Sequence, residues 1–335
     1  MENYEYENGL VSIVSPVYNG EEYLEWYLNS VLNQKYKKVE LIIVNDGSTD
    51  KTKEILFIYK PLFERKGYTF IYLEQENKGA SAAINTGLNY VRGEFLCWPD
   101  SDDILSPEYI SSLKDALDNN PNCNIALASK MYSVYSFDLN SKHSFFERSF
   151  PDGDLFYDFV VGNNIVYGLG KFLVRTDAFF SANGSKKIYE SRGGQNWQMM
   201  LPILYRSKYV FVDKYLYTVV ERRNSHSRDY KSLADKDIAT ARYKDILEKV
   251  LDRILTDEDK EKYTEIIKQK YEKEYILNAF NYGEKKELCK RSGHAFFSTN
   301  HLIKKKELVV LNLQLRSRLF RKIYGVYRMG KEKNE

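Results

Sequence analysis

Cysteine is scarce in these 335 residues: Cys97, Cys123 and Cys289 are odd in number and far apart. That excludes a disulfide framework and a cysteine-based zinc site, and it points to a reducing compartment. No apolar run approaches the ~18 residues that cross a bilayer. The opening stretch MENYEYENGL is acidic and polar, so no secretory signal is expected and a cytoplasmic protein is. A net charge of only +3 is too small for the whole chain to serve as a nucleic-acid binder. Two nucleotide motifs are missing as well. No G-x-G-x-x-G follows the first strand pattern, which disfavours a dinucleotide dehydrogenase, and no G-x-x-x-x-G-K-[ST] occurs, which excludes a P-loop NTPase.

What is present is a strand–helix alternation over the first 120 residues. LVSIVSPV, VELIIVND, YTFIYLEQ and EFLCWPD are short apolar runs. Between them lie helical patterns, as in EEYLEWYLNSVLNQ, where Leu24, Tyr27, Leu28, Val31 and Leu32 share a face. DKTKEILFIYKPLFERKG predicts a helix broken near Pro61, and GASAAINTGLNYVRG a third helix. Continuous apolar strands between amphipathic helices predict a mostly parallel sheet covered on both faces. Ligands of such sheets bind beyond the carboxyl ends of the strands, where SPVYNG, NDGSTD, ENKGAS and WPDSDD all fall. Residues 121–220 read as further strands with a helix over QNWQMMLPILYRS, and beyond about Ser232 only charged helical patterns remain. The 28 Tyr, 18 Phe and 3 Trp are mostly explained by core packing, although sugar-binding enzymes also favour aromatic faces.

Asp100 and Asp102 end the fourth strand, two residues apart, and can point to one side of the backbone. Oxygen ligands of this kind suit Mg²⁺ or Mn²⁺. Spacing alone carries little, because Asp152/Asp154, Asp235/Asp237 and Asp257/Asp259 repeat it; the strand-end position is what separates Asp100/Asp102. Asp103 and Ser106 can cap the helix around SPEYISSLKDAL. In NDGSTD, Gly47 permits a tight turn and Asp50 suits a helix cap, whereas Asp46, at the strand end, can accept the imide N–H of a uracil. Lys78, Gly79 and Ser81 open a helix whose free N–H groups favour anions. ERRNSHSR reads by default as a surface charge run. Its guanidinium forks, Arg222 among them, also match pyrophosphate oxygens, and the imidazole of His226 can complete a divalent-metal shell.

The three ordered blocks VSIVSPVYNGEEYLEWYLNSVLNQKYKKVELIIVNDGSTD, ENKGASAAINTGL and GEFLCWPDSDDILSPEYI resemble the family 2 glycosyltransferases of GT-A fold, over roughly residues 9–110. A weaker similarity runs on through GGQNWQMMLPILYRS to NSHS. The resemblance implies inverting transfer of a sugar from a nucleotide diphosphate sugar, most often UDP-linked, to a saccharide or lipid-linked acceptor in cell-surface polysaccharide biosynthesis. It implies nucleotide contacts at Pro16, Tyr18 and Asp46, with Asp100 and Ser101, and a metal-bridging motif at Asp100 and Asp102. A GT-A catalytic domain over 1–231 is then expected, with a nucleotide-sugar part over 1–120, an acceptor part over 121–231, and a helical region over 232–335. Two departures stand out. Ile84 replaces an Arg common in the family. Gln195-Asn196 stands where the family usually carries Glu-Asp, whose Asp serves as base. An amide cannot take a proton, so Glu190 or Asp103 supplies the base, or the acceptor is already an anion, or the protein binds a donor without turnover. Gln195, Asn196 and Trp197 remain candidates for acceptor contacts, Trp197 as a stacking face or as helix core.

From Lys304 to Glu335 ten Lys and Arg accompany three Glu. Leu311, Leu315, Leu319 and Ile323 recur every four residues with Arg316, Arg318, Arg321 and Lys322 among them. This predicts a helix packed on the catalytic domain or on a partner subunit of a homo-oligomer, or one lying on anionic lipid at the inner face of the plasma membrane.

Overall fold

Every residue of the strand β2 (Val39–Asp46) is buried, as befits a strand with neighbours on both edges and helices on both faces. It sits in a parallel group ordered β3-β2-β1-β4, with β1 (Glu7–Val17), β3 (Thr69–Gln75) and β4 (Gly93–Cys97). The helices α1 (Leu24–Leu32), α2 (Thr52–Arg65) and α3 (Ala80–Leu88) make the crossovers. Their apolar faces, carrying Leu24, Leu28, Leu56 and Phe63, close the core over Ile13, Leu41 and Ile43. The computed structural model describes residues 5–147, 154–162, 169–191, 193, 195–221, 230–297 and 302–316.

The sheet continues through β8 (Phe172–Arg175), β6 (Cys123–Tyr135), β9 (Lys208–Glu221) and β5 (Ile104–Leu105). β7 (Asp138–Glu147) is a hairpin partner of β6. β4 meets β8 antiparallel, through Phe95–Arg175 and Leu96–Val174 alone, and β6 and β9 then run parallel over most of their length. This is a mixed α/β sheet flanked by helices, as expected. α4 (Tyr109–Asp118), α5 (Leu155–Val161), α6 (Thr176–Asn183) and α7 (Gln195–Arg206) cover it.

By contacts the chain divides into two units, Met1–Ser225 with Val250–Ile254, and His226–Lys249 with Leu255–Glu335. The second unit is helical: α8 (Leu233–Ile254, its last five residues counted with the first unit), α9 (Asp257–Asn281), α10 (Lys285–Phe297) and α11 (Lys305–Arg316). Ile276, Ala279, Leu288, Ala295, Ile303 and Leu308 form its core, and Leu311 packs against them. Among the described residues no helix is long and apolar enough to cross a membrane.

Three local expectations are corrected. α2 is not broken at Pro61 but runs through it to Arg65; Pro61 lies on the solvent face, where the carbonyl it frees can turn to water. α4 starts later than the motif suggested: its N-cap is Glu108, with no side-chain cap bond, and the Ser106 hydroxyl is buried without a partner. The C-terminal helix begins at Lys305 rather than near Leu311; Arg318, Leu319, Arg321, Lys322 and Ile323 lie outside the described residues. The spare Asp-x-Asp triplets have local work. Asp154 caps α5 through the N–H groups of Phe156 and Tyr157, and Asp237 pairs with Arg291 at 2.6 Å.

Candidate active site

The turn Asp100–Asp103 follows the carboxyl end of β4 and is bonded to the end of β1 and to β9. It is closed by Asp103 N–H donating to the Asp100 carbonyl at 3.2 Å. It is fastened from three sides. The Ser101 hydroxyl donates to the Pro16 carbonyl at the end of β1, at 2.9 Å. The Ser15 hydroxyl reaches the Pro99 carbonyl at 3.2 Å and also bonds the Tyr27 hydroxyl of α1. Asp103 accepts the Tyr217 hydroxyl at 2.5 Å and the Val220 N–H at 2.9 Å, both from β9.

Asp103 and Ser101 are 5% and 7% exposed, whereas Asp100 and Asp102 are half-buried. The latter two interact strongly. Lost hydration and then the Asp102 charge push the Asp100 carboxyl up to about 7. Burial, followed by Asp102 and Asp100, holds Asp103 well above the usual carboxylate range. A turn that concentrates like charge out of water is a natural seat for a cation. Two carboxylates offering oxygen alone suit a hard divalent ion such as Mg²⁺ or Mn²⁺. Among the described residues no three His, Cys, Asp or Glu side chains gather around one point.

At the end of β2, Asp46 is 3% exposed. Its Oδ1 accepts from Gln75 at 2.7 Å and from the Lys78 N–H at 3.0 Å, and its Oδ2 from the Gly79 N–H at 2.8 Å. This single carboxylate organises the entry to α3 and keeps lone-pair capacity on Oδ2. Gly47, next in sequence, has φ +72°, and a Cβ there would sit 2.8 Å from the Asn77 amide nitrogen. Only glycine lets the two loops approach so closely. Asp50 accepts the Thr52 N–H at 3.0 Å and the Glu21 N–H at 2.9 Å, but the N-cap of α2 is Lys51, so Asp50 is not the cap expected of it. Tyr18 stands at the rim, 42% exposed.

Several candidates have other work in the structure. Ser81 is wholly buried and donates to Gln198 at 2.9 Å, so its hydroxyl ties α3 to α7 rather than touching a nucleotide. Trp197 is 8% exposed and its indole N–H donates to the Phe159 carbonyl at 3.1 Å; it is helix core, not a stacking face. Asp103 is a post for β9, with no open path to an acceptor. Glu190 is exposed and accepts from Asn85 at 3.0 Å. Gln195 and Asn196 are the first two residues of α7 and half-buried, and the Asn196 amide oxygen is buried without a partner. Arg222 and His226 lie outside the described residues.

Residue patterns did not reveal the loop clamp. Asn85 donates to the Ile188 carbonyl at 3.1 Å as well as to Glu190, and its own oxygen takes the Ile188 N–H at 2.8 Å. Gln198 passes the Ser81 contact on to Ser191 at 2.9 Å. An amide facing inward from a helix of small residues was the one available signal.

A mixed sheet with a carboxylate turn at its parallel carboxyl edge defines the class: a nucleotide-sugar transferase fold of the GT-A type. The chain belongs to glycosyl transferase family 2, whose family model matches residues 12–181. It is 30% identical over 230 residues to "Glycosyltransferase GlyA" of Streptococcus pneumoniae serotype 4, covering 65% of this chain and 31% of that protein. It is 39% identical over 107 residues to "Putative glycosyltransferase EpsH" of Bacillus subtilis, covering 32% and 30%. The chain thus spans about a third of the length of such curated relatives. Among solved structures, S. aureus TarS 1-349 in complex with UDP-GlcNAc aligns with TM-score 0.58 at 21% identity, over 96% of this chain and 92% of that one. The mannosyltransferase PcManGT from Pyrobaculum calidifontis, in complex with GDP-Man and Mn²⁺, aligns with TM-score 0.54 at 14% identity, over 93% and 82%. These two likenesses show the fold.

Proposed function

We propose that the protein is a metal-dependent inverting glycosyltransferase that moves a hexosyl or N-acetylhexosaminyl group from a nucleotide diphosphate sugar, UDP-linked, to a saccharide or lipid-linked acceptor in cell-surface polysaccharide synthesis. Residues 1–231 hold this activity. The observation that carries the reading is the Asp100–Asp103 turn, which places two half-buried carboxylates beside the end of β1. Solved relatives in fold bind UDP-GlcNAc in one case and GDP-Man with Mn²⁺ in another.

In this reading Asp46 takes the uracil imide N–H on Oδ2, and Pro16 and Tyr18 border the base. Lys78 and Gly79 line the loop beside it. Asp100 and Asp102 would hold a Mn²⁺ or Mg²⁺ ion, which would supply charge neutralisation for the departing diphosphate. The acceptor oxygen attacks the anomeric carbon as the bond to the β-phosphate oxygen breaks. The nucleotide diphosphate leaves with that electron pair, and the acceptor hydroxyl gives up its proton. Glu190, held by Asn85 on the acceptor side, is the proposed proton acceptor, while Gln195 and Asn196 orient acceptor hydroxyls. An opposite charge at 4 Å is worth about 4 kcal/mol at an effective dielectric near 20, and each ~1.4 kcal/mol in the barrier is tenfold in rate. Loss of the cation therefore costs on the order of a thousandfold.

Calorimetry with UDP and Mn²⁺, followed by UDP release over a panel of donors, tests this. Metal-dependent UDP binding with release from at least one donor is expected. UDP binding without release from any donor supports the second reading, a nucleotide-sugar-binding protein, which the Gln195-Asn196 pair favours. No UDP binding rejects both. A pH–rate profile lacking an acidic limb would remove Glu190 as base and favour an anionic acceptor. The basic C-terminal stretch adds a proposed attachment to anionic lipid, checked by salt-sensitive vesicle binding that a chain ending at Glu307 loses.

A further inference from the structure

The hairpin joining β6 to β7 is closed by two residues, Ser136 and Phe137, between the paired Tyr135 and Asp138. Both have positive φ, +46° and +63°. A two-residue turn of this hand asks for Asn-Gly, and a bulky aromatic in the left-handed region is a rare choice. Strained positions of this kind recur at ligand clamps. Here the turn carries the Phe137 ring onto Trp26, in the first turn of α1, with ring centroids 5.5 Å apart and planes 18° from parallel. The offset stack leaves Trp26 42% exposed.

Both ring carriers are tied to the proposed donor turn. Tyr27, next to Trp26, bonds the Ser15 hydroxyl that holds the Pro99 carbonyl. On the other side the Ser136 N–H donates to the Glu221 carbonyl at 2.9 Å, and the neighbouring Val220 is bonded to Asp103. Each ring is thus joined, within a few residues along the chain, to a group that fastens the Asp100–Asp103 turn. Among the described residues, the exposed charged side chains next to these rings in sequence are acidic: Glu22, Glu25 and Asp138.

We infer that Trp26 and Phe137 form the platform for a neutral pyranose of the acceptor, a reading that rests on the glycosyltransferase function proposed above. The C–H face of a pyranose stacks on flat aromatic rings, and its hydroxyls donate to carboxylates. An anionic headgroup would meet three like charges instead. The turn accepts unfavourable backbone angles because glycine, which would relieve them, carries no ring.

The chain has a built-in probe. Of its three tryptophans, Trp98 and Trp197 are 1% and 8% exposed, so the neutral quencher acrylamide reaches chiefly Trp26. The full chain, saturated with UDP and Mn²⁺, is titrated with methyl α- and β-pyranosides of glucose, galactose, mannose and N-acetylglucosamine and with their short oligomers. At least one is expected to shield Trp26 from acrylamide. Phe137→Gly is expected to weaken that binding about tenfold, the worth of one good ring contact, and Phe137→Tyr to retain it. Because glycine relieves the turn, the Tm of Phe137→Gly should stay within about 3 °C of the parent; a purely structural latch would lower it further. The inference is overturned if no glycoside shields Trp26 while UDP binds, if Phe137→Gly shields as well as the parent, or if shielding follows protein concentration without sugar, as contact between two copies would. Failure of the proposed function shows separately, as absent UDP binding and release.

Discussion

The two ends of one sheet treat buried charge in opposite ways. At the amino end, Glu40 is wholly buried yet fully engaged: it accepts the Ser12 hydroxyl, the Arg92 N–H at 2.8 Å and the Arg92 guanidinium at 2.9 Å. Ser12 in turn accepts the Gly93 N–H at 2.8 Å. At the carboxyl end, Asp100 and Asp102 repel one another, and the Trp98 indole N–H and the Asn196 amide oxygen are buried without partners. Unsatisfied groups are expensive to keep. On the reading proposed above, the carboxyl end is where the chain gives up stability for binding, and the amino end is what the same sheet looks like when stability alone is served.

Breaking each end should therefore give opposite outcomes. The largest effect belongs to Asp102→Ala, for which transfer should fall on the order of a thousandfold while the Tm of the metal-free protein does not fall; unchanged metal-dependent turnover would falsify the cation seat. Next, the helical unit supplies a buried cation for comparison. Burial draws Lys270 down to about 8, against a partial upward pull from Glu274. A base with a lowered folded pKa binds fewer protons than the unfolded chain between about 8 and its ordinary value, so stability rises with pH through that window and the penalty is complete below it. Lys270→Met should then stabilise by about 3 kcal/mol at neutral pH, with the gain vanishing near pH 11 in denaturant melts. Glu40→Ala comes third. It should cost about 2 kcal/mol of stability and leave transfer at 25 °C intact; a loss of activity without a loss of stability would erase the contrast between the ends. Smallest is Asn85→Ala, which frees the Ile188–Glu190 loop and should raise the acceptor KM about fivefold, the worth of one buried hydrogen bond, with UDP affinity unchanged.

The parallel half was legible because its code is local. VELIIVND is apolar throughout since both faces are covered, and Asp46 and Asp100 stand where such runs stop. The other half was harder. β6 and β9 are long and half-solvated, so their tyrosines and lysines blur the alternation, and α5, α6 and β8 were not resolved from the sequence. Trp197 looked available as a flat face, yet helical spacing turns it inward beside Met199 and Met200. Ser81 passed for a ligand contact because its partner, Gln198, lies 117 residues away. Asp103 could be a cap or a base by sequence; only β9, arriving from more than a hundred residues on, makes it a post. Pairings of that separation leave no periodic trace.

The seam between β4 and β8 has an evolutionary corollary. Two residue pairs, with the Thr176 hydroxyl on the Gly93 carbonyl, join β4 to β8, and the two-residue β5 pairs separately with β9. Junctions so narrow let one side diverge with little retuning of the other. Hybrids spliced there should inherit leaving-group preference from one parent and product linkage from the second.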